Sequence, residues 1–453
     1  MTDSKLHDNA VLAHYREAFA NRADRRRSDW LASIQDEAIE RFVELGFPTR
    51  RHEEWRYTNV AAIAKQEFIP APRPDGMDLA GTSLPESLPD FGGGRLVFVD
   101  GHFAAGLSNL PDTSAFEFQS LADATQQAHP AQGSALSYYA TLVGSKDDGF
   151  SALNTAFADD GALVTLKRTQ TPAAPLQLVF VSSADSGDAQ PWASFPRVLI
   201  FAEPGSQGMI VQDHVSLDSS ASLSCAVCEV VTGERASLEM VLLQRESNSA
   251  FHIARQRVRQ ERDSHYSLHT FNLGGAILRN ELDVVLADEG AECRLNGLYL
   301  GTGEQLVDNH TLVDHAMPNC QSKELYKGIL ADRARGVFRG RVVVRPGAQR
   351  TVAEQQNRNL LLSRSAEVDT QPQLEIYADD VKCNHGSSIG QLDEEALFFL
   401  RSRGLDEPVA RTLLATGFAA QISQAISQES VRGWVESAVE SRLEDVFHAG
   451  ATQ

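Results

Sequence analysis

Cysteine is scarce in this chain: five residues, at 225, 228, 293, 320 and 383, among 453. An odd number spread so thinly does not build a disulfide framework, so reduced thiols are expected. No stretch approaches the roughly 18 continuous apolar residues of a membrane-spanning helix, and the Met-Thr-Asp-Ser-Lys start lacks the apolar run of a secretion signal. A cytoplasmic protein is expected. Basic residues are also in deficit, 41 against 61 acidic, and a formal net charge of -20 repels phosphate backbones and anionic lipid. That excludes nucleic acid and membrane as expected partners. There is no Gly-x-x-x-x-Gly-Lys-Ser/Thr phosphate loop, no Gly-x-Gly-x-x-Gly between a strand and a helix, and no His-Glu-x-x-His. ATP hydrolysis and dinucleotide binding of the familiar kinds are therefore not expected.

What is present divides into three stretches. Residues 1–155 read as a mostly helical region: Trp30, Leu31, Ile34, Ala38, Ile39, Phe42 and Val43 recur at three-and-four spacing, stopped by Gly46 and Pro48. A shorter helix carries Val11, Leu12, Tyr15 and Phe19, and residues 70–94, rich in Pro and ending in Gly92-Gly93-Gly94, read as a connector. Residues 156–385 hold short β-rich runs with no amphipathic helix between them, which disfavours a doubly wound α/β sheet and leaves a sandwich, a barrel or a solenoid. Leu286-Ala287-Asp288 returns as Leu330-Ala331-Asp332, 44 residues on, as two turns of a coil of twenty-odd residues would place it. The fold expected is thus mainly β, a parallel β-helix flanked by N-terminal and C-terminal α-helical regions. Residues 386–453 are helical again, beginning at Asp393 as N-cap with Leu392 placed to staple onto Leu397.

The most pointed chemistry lies at Cys383 and His385. On an extended segment these side chains project from one face while Asn384 points away. A thiol and an imidazole are half of a transition-metal site, so the missing ligands must come from elsewhere, and a second subunit is one source. The alternative is a small buried cysteine beside a hydrogen-bonded histidine at a strand end. Other spellings carry less. Cys225 and Cys228 sit i and i+3 on an expected strand and face opposite sides. Gly386-Ser387-Ser388-Ile389-Gly390 spells a nucleophile elbow, but only His448 follows it, so a Gly/Ser turn is expected. Asp308, His310, Asp314 and His315 gather in one segment, yet His310 and His315 face opposite ways when extended.

Beyond these patterns, Gln371–Gly386, Gly390–Gly404, Ser322–Gly328, Val337–Gly340, Arg358–Ser363, Glu53–Thr58 and Leu153–Ala156 resemble the SufB/SufD family, scaffold subunits of the Suf iron-sulfur cluster assembly machinery. The resemblance is dense from about residue 300 to 420 and sparse before 150. It implies a right-handed parallel β-helix, a heterodimer with SufB through that β-helix, and docking of the SufC ATPase on the C-terminal helices. Leu397, Phe398, Arg401, Arg403, Leu414 and Phe418 are then the candidate docking residues. It implies a non-catalytic role, a nascent iron-sulfur cluster shared with the partner through His385, and none bound tightly by this chain alone. Ligation by Cys383, a flavin on the complex and a homodimer without SufB are left open. Asn384 and Ser387-Ser388 depart from the family's usual Ser and Ala-Thr without altering the Cys-x-His spacing. Truncation after Gly404 is expected to remove SufC binding and leave the β core folded. The competing readings are a β-helix carbohydrate-active enzyme, disfavoured by the absence of a paired-carboxylate strand, and a purely structural partner of SufB.

Overall fold

Strands whose side chains alternate between two buried environments must stack face to face, and here they do so by coiling. The structure, a computed structural model, describes residues 3–22, 28–72, 84–85, 88–126, 130, 134–183 and 191–449. Most of the 70–94 connector lies outside the described residues. From Arg197 onward successive strands fall alternately into two sheets, and each pairs in parallel with the strand two places along the chain. The result is a parallel β-solenoid of about seven turns. Phe251 pairs with Ile277, Leu306 with Arg335 and Arg335 with Glu367, so from Arg197 onward a turn takes 26 to 32 residues. That corrects the expected twenty-odd. Leu286 closes a strand of one sheet and Leu330 a strand of the other, so the repeated Leu-Ala-Asp is spaced by one and a half turns. The echo marks a shared exit into tight corners, where Gly290 and Asp332 take left-handed backbone with φ of 76° and 52°.

The interior of the coil is one apolar column, from Leu96 and Phe98 through Val230, Met240, Leu268 and Leu295 to Phe338 and Ala353. The outer faces are covered separately. Helices Asp29–Leu45 and Gly149–Phe157 pack with Tyr15, Trp55 and Phe68 against Leu223, Cys225, Phe251 and Ile253 of the first sheet. Helices Glu407–Ser423 and Glu429–Ala449 lay Ala415, Ala419, Ile422, Val435 and Leu443 on Val241, Leu243, Phe271, Leu298 and Ile329 of the second. The molecule is layered as helix, sheet, coil interior, sheet, helix.

The two ends of the coil differ. At its start, Phe116–Ser120 and His102–Phe103 pair antiparallel with their neighbours and close both sheets. At its finish, Glu367–Ile376 and Val381–Gly390 each pair on one edge only, among the described residues.

Candidate functional site

Cys383 and His385 sit in that last strand, Val381–Gly390, opposite Ala353 and Gln355 of Thr351–Leu361. Val381 and Cys383 pack against the interior column. Alternation puts His385 on the same inward face, but no further rung covers it and it is exposed. Burial moves the half-buried Cys383 thiol above its ordinary range, so the free protein holds it protonated. The strand continues through Gly386, Ser387, Ser388 and Ile389 to Gly390, with Ser388 opposite Arg358. The expected Gly/Ser turn is therefore strand, and Ser388 is no elbow nucleophile.

Directly inward from His385 the column changes character. Ile210, Met240, Leu268 and Leu295 occupy this register position in the earlier turns, followed by Glu324, Gln355 and His385. Gln355 Nε2 donates to Glu324 Oε2 at 2.6 Å. Gly340 makes room for that amide, since a Cβ there would lie 2.4 Å from Gln355 Nε2. Burial pushes the Glu324 carboxyl up to about 7. Sequence reading missed this file of polar groups because its members are about 30 residues apart and only the true turn length aligns them.

Of the other sequence candidates only Asp308 and His310 meet. Cys225 packs beneath the N-terminal helices and Cys228 inside the coil, on opposite faces. Asp308 and His310 face the N-terminal segment: Thr58 and Arg279 bond Asp308, and His310 Nε2 lies 3.1 Å from Asp308 Oδ1. Burial opposes ionisation of Asp308, but His310 and Arg279 outweigh it and hold the carboxyl below its ordinary value. His315 instead turns inward, with Nε2 2.8 Å from Ser322 Oγ, and Asp314 binds Arg345 Nε at 2.8 Å.

On the C-terminal helices, Asp393 caps Glu394–Ser402 by accepting from the Glu395 and Ala396 amides. Leu397 is 4 % exposed and faces inward; Phe398 is 75 % exposed. Arg401 and Arg403 are exposed, and Leu414 is half-buried. Phe418 is half-buried too, with Lys327 Nζ 4.5 Å from its ring centre and 2.8 Å from its carbonyl. The large apolar side chains exposed on these helices are Phe398, Phe399, Val409 and Leu413; Phe398 is among the expected docking residues, and the other three are not.

Two family models match the chain. SUF system FeS cluster assembly, SufBD core domain, covers residues 182–418, and SufBD protein N-terminal region covers 7–178. The iron-sulfur cluster assembly protein SufD of Escherichia coli is 31 % identical over 414 residues, 89 % of this chain and 91 % of that protein. An iron-sulfur cluster assembly SufBD family protein of Synechocystis is 33 % identical over 424 residues, 91 % of each. SufD of Bacillus subtilis is 29 % identical over 297 residues, 65 % of this chain and 66 % of that protein. With the core model spanning most of the solenoid and the first C-terminal helices, and with SufD of Escherichia coli matched over 89 % of the chain, the chain belongs to the SufBD family of iron-sulfur cluster assembly proteins.

Proposed function

We propose that this chain is a non-catalytic scaffold of Suf iron-sulfur cluster assembly, that its uncovered solenoid end pairs with SufB, and that His385 supplies one ligand to the nascent cluster at that junction. The observation that carries the reading is the position of His385: exposed, on an inward-facing register, in a strand with one edge unpaired among the described residues. A paired edge elsewhere would bury it, and an unpaired edge invites a further strand. The cluster is cargo, so ligands divided between two chains suit it: separating the chains opens the site. Cys383 is the second donor in reach, provided docking lowers the pKa of its thiol.

The reading extends to SufC, an ATPase that docks on the C-terminal helices through Phe398, Phe399, Val409 and Leu413, with Arg401 and Arg403 at the rim. An apolar patch of this kind marks an interaction surface. Truncation after Gly404 does not test it cleanly, because removing the last two helices uncovers Leu243, Phe271, Leu298 and Ile329 of the second sheet.

For the cluster role, complexes purified with SufB and SufC are loaded anaerobically with iron and sulfide. His385→Ala should leave the complex intact and cut bound iron and sulfide by at least half; loading equal to wild type rejects His385 as a ligand. For docking, Phe398→Ala with Phe399→Ala should weaken SufC capture more than about tenfold, the loss of two interface anchors, with an unchanged melting temperature. Undiminished capture rejects that surface.

A further inference from the structure

Inside the early turns of the coil, far along the chain from His385, three donor side chains meet. His214 lies in Gln207–Ser216, His252 in Phe251–Gln260, and Glu246 just past the end of Ser237–Arg245. Each shares sequence parity with interior residues: Ile210 for His214, Leu242 for Glu246, Val258 for His252. All three are buried, and one donor atom from each falls within 4.8 Å of the others. His214 is held flat against Phe180, ring centres 4.8 Å apart at 15°, and meets the His252 ring edge-on at 4.9 Å. Glu246 Oε2 lies 2.7 Å from His252 Nδ1 and accepts from Gln244 Nε2 at 3.0 Å. Gln244 is fixed in turn, its Oε1 accepting from the Gly274 amide at 3.1 Å.

Hydrogen bonding accounts for only part of these rings. His252 Nδ1 is paired with Glu246, but Nε2 of His252 and Nδ1 of His214 have no partner. Buried polar atoms are nearly always satisfied, so unpaired nitrogens converging beside a carboxylate point to a missing electrophile. The groups acting on the Glu246 carboxylate are the two imidazoles and the Gln244 amide. Burial pushes His214 down to about 3, leaving it a neutral imidazole at physiological pH.

We propose that His214, Glu246 and His252 form a site for a divalent first-row transition-metal ion inside the solenoid, separate from Cys383 and His385. Two imidazoles and one carboxylate, with positions left for water, are a donor set that iron(II), cobalt(II) and zinc(II) accept. Bound to such an ion, donors stand on the order of 3 Å apart, so side-chain rotations of about an ångström close the set. Gln244 acts from outside by orienting the carboxylate, as partners of metal ligands do. A cavity lined by Val198, Leu242 and Leu268 together with Gln212, Gln256 and Thr270 reaches the two histidines and continues to Glu281 and His310.

The test uses the full chain, stripped with chelator and titrated anaerobically with cobalt(II). The expected result is one cobalt per chain, an X-ray absorption spectrum with two imidazoles and no sulfur, and a melting temperature raised by the metal. Glu246→Gln, and independently His214→Ala, should weaken binding at least tenfold. A Cys383→Ala, His385→Ala double variant should bind as wild type does, which separates this site from the proposed cluster ligand. No binding by wild type, sulfur in the coordination sphere, or equal affinity in a folded Glu246→Gln variant overturns the assignment. Should both single variants fail to fold, the spectrum of the wild type decides alone.

Discussion

Glu324 shows how one side chain can be tolerated in a place its type avoids. It lies two rungs inward from the open end, and burial raises its carboxyl from 4.5 to about 7. The folded state therefore favours the neutral acid. Ionisation of Glu324 adds no cost at pH values below its unfolded pKa, and destabilises progressively as pH rises from about 4.5 through 7. Glu324→Gln mimics the neutral acid, so urea unfolding should give equal stabilities at pH 4.5 and a gain of about 3 kcal/mol for the variant at pH 8. A gain of the same size at both pH values would mean the carboxyl titrates normally. Arg197 is the opposite case, fully buried but fully answered. It binds Glu229 at 2.7 and 3.1 Å, the Val143 carbonyl, Asn154 and Thr155, and lies 4.5 Å from the Tyr139 ring centre. Arg197→Ala leaves the buried Glu229 carboxylate with only the Ala140, Leu142 and Val143 amides and no countercharge, and should cost roughly 3–5 kcal/mol in chemical unfolding.

At the scale of elements, the coil is held by matched large and small residues between rungs. Tyr299 pairs with Gly328 and Gly297 with Tyr326, between Glu292–Gly301 and Gln321–Leu330. A Cβ at Gly328 would come within 2.4 Å of the Tyr299 ring, and one at Gly297 within 2.2 Å of the Tyr326 ring. Gly328→Ala should therefore lower stability by roughly 1–3 kcal/mol through overpacking, read as a lower urea midpoint with an unchanged slope. Strand existence was legible because alternation and the lack of helices between runs are local signals. Helix ends were legible as well: Gly46 adopts φ 65° and returns its amide to the Phe42 carbonyl, and Asp393 caps as its type suggests. Turn length was not legible, since neighbouring strands in the chain belong to different sheets and a single echo cannot separate one and a half turns from two.

At the scale of the whole molecule, the N-terminal segment straps the coil from outside. Trp55 lies under the Arg279 guanidinium at 3.8 Å, Glu54 is 3.2 Å from Arg339, and Tyr57 accepts from Gln371 Nε2 at 2.8 Å. The Glu53–Thr58 signature thus spans several turns and resists their separation. On the opposite side the last two helices seal the second sheet. Deleting residues 405–453 should give a chain that aggregates or melts well below the full protein in a thermal scan, because a broad apolar face is uncovered. The start of the coil is closed by antiparallel strands, and its end is open among the described residues.

Sequence alone determined what depends on near neighbours: the helical flanks, the strand-rich middle, the shared face of Cys383 and His385, and the opposed faces of Cys225 and Cys228. The family motifs added the Suf setting. Only the tertiary structure decided which strand was last and uncovered, that Glu324 and Gln355 stand behind His385, and that His214, Glu246 and His252 meet. The physical reason is one of distance along the chain: a solenoid brings together residues about 30 positions apart, and nothing in local periodicity encodes that step.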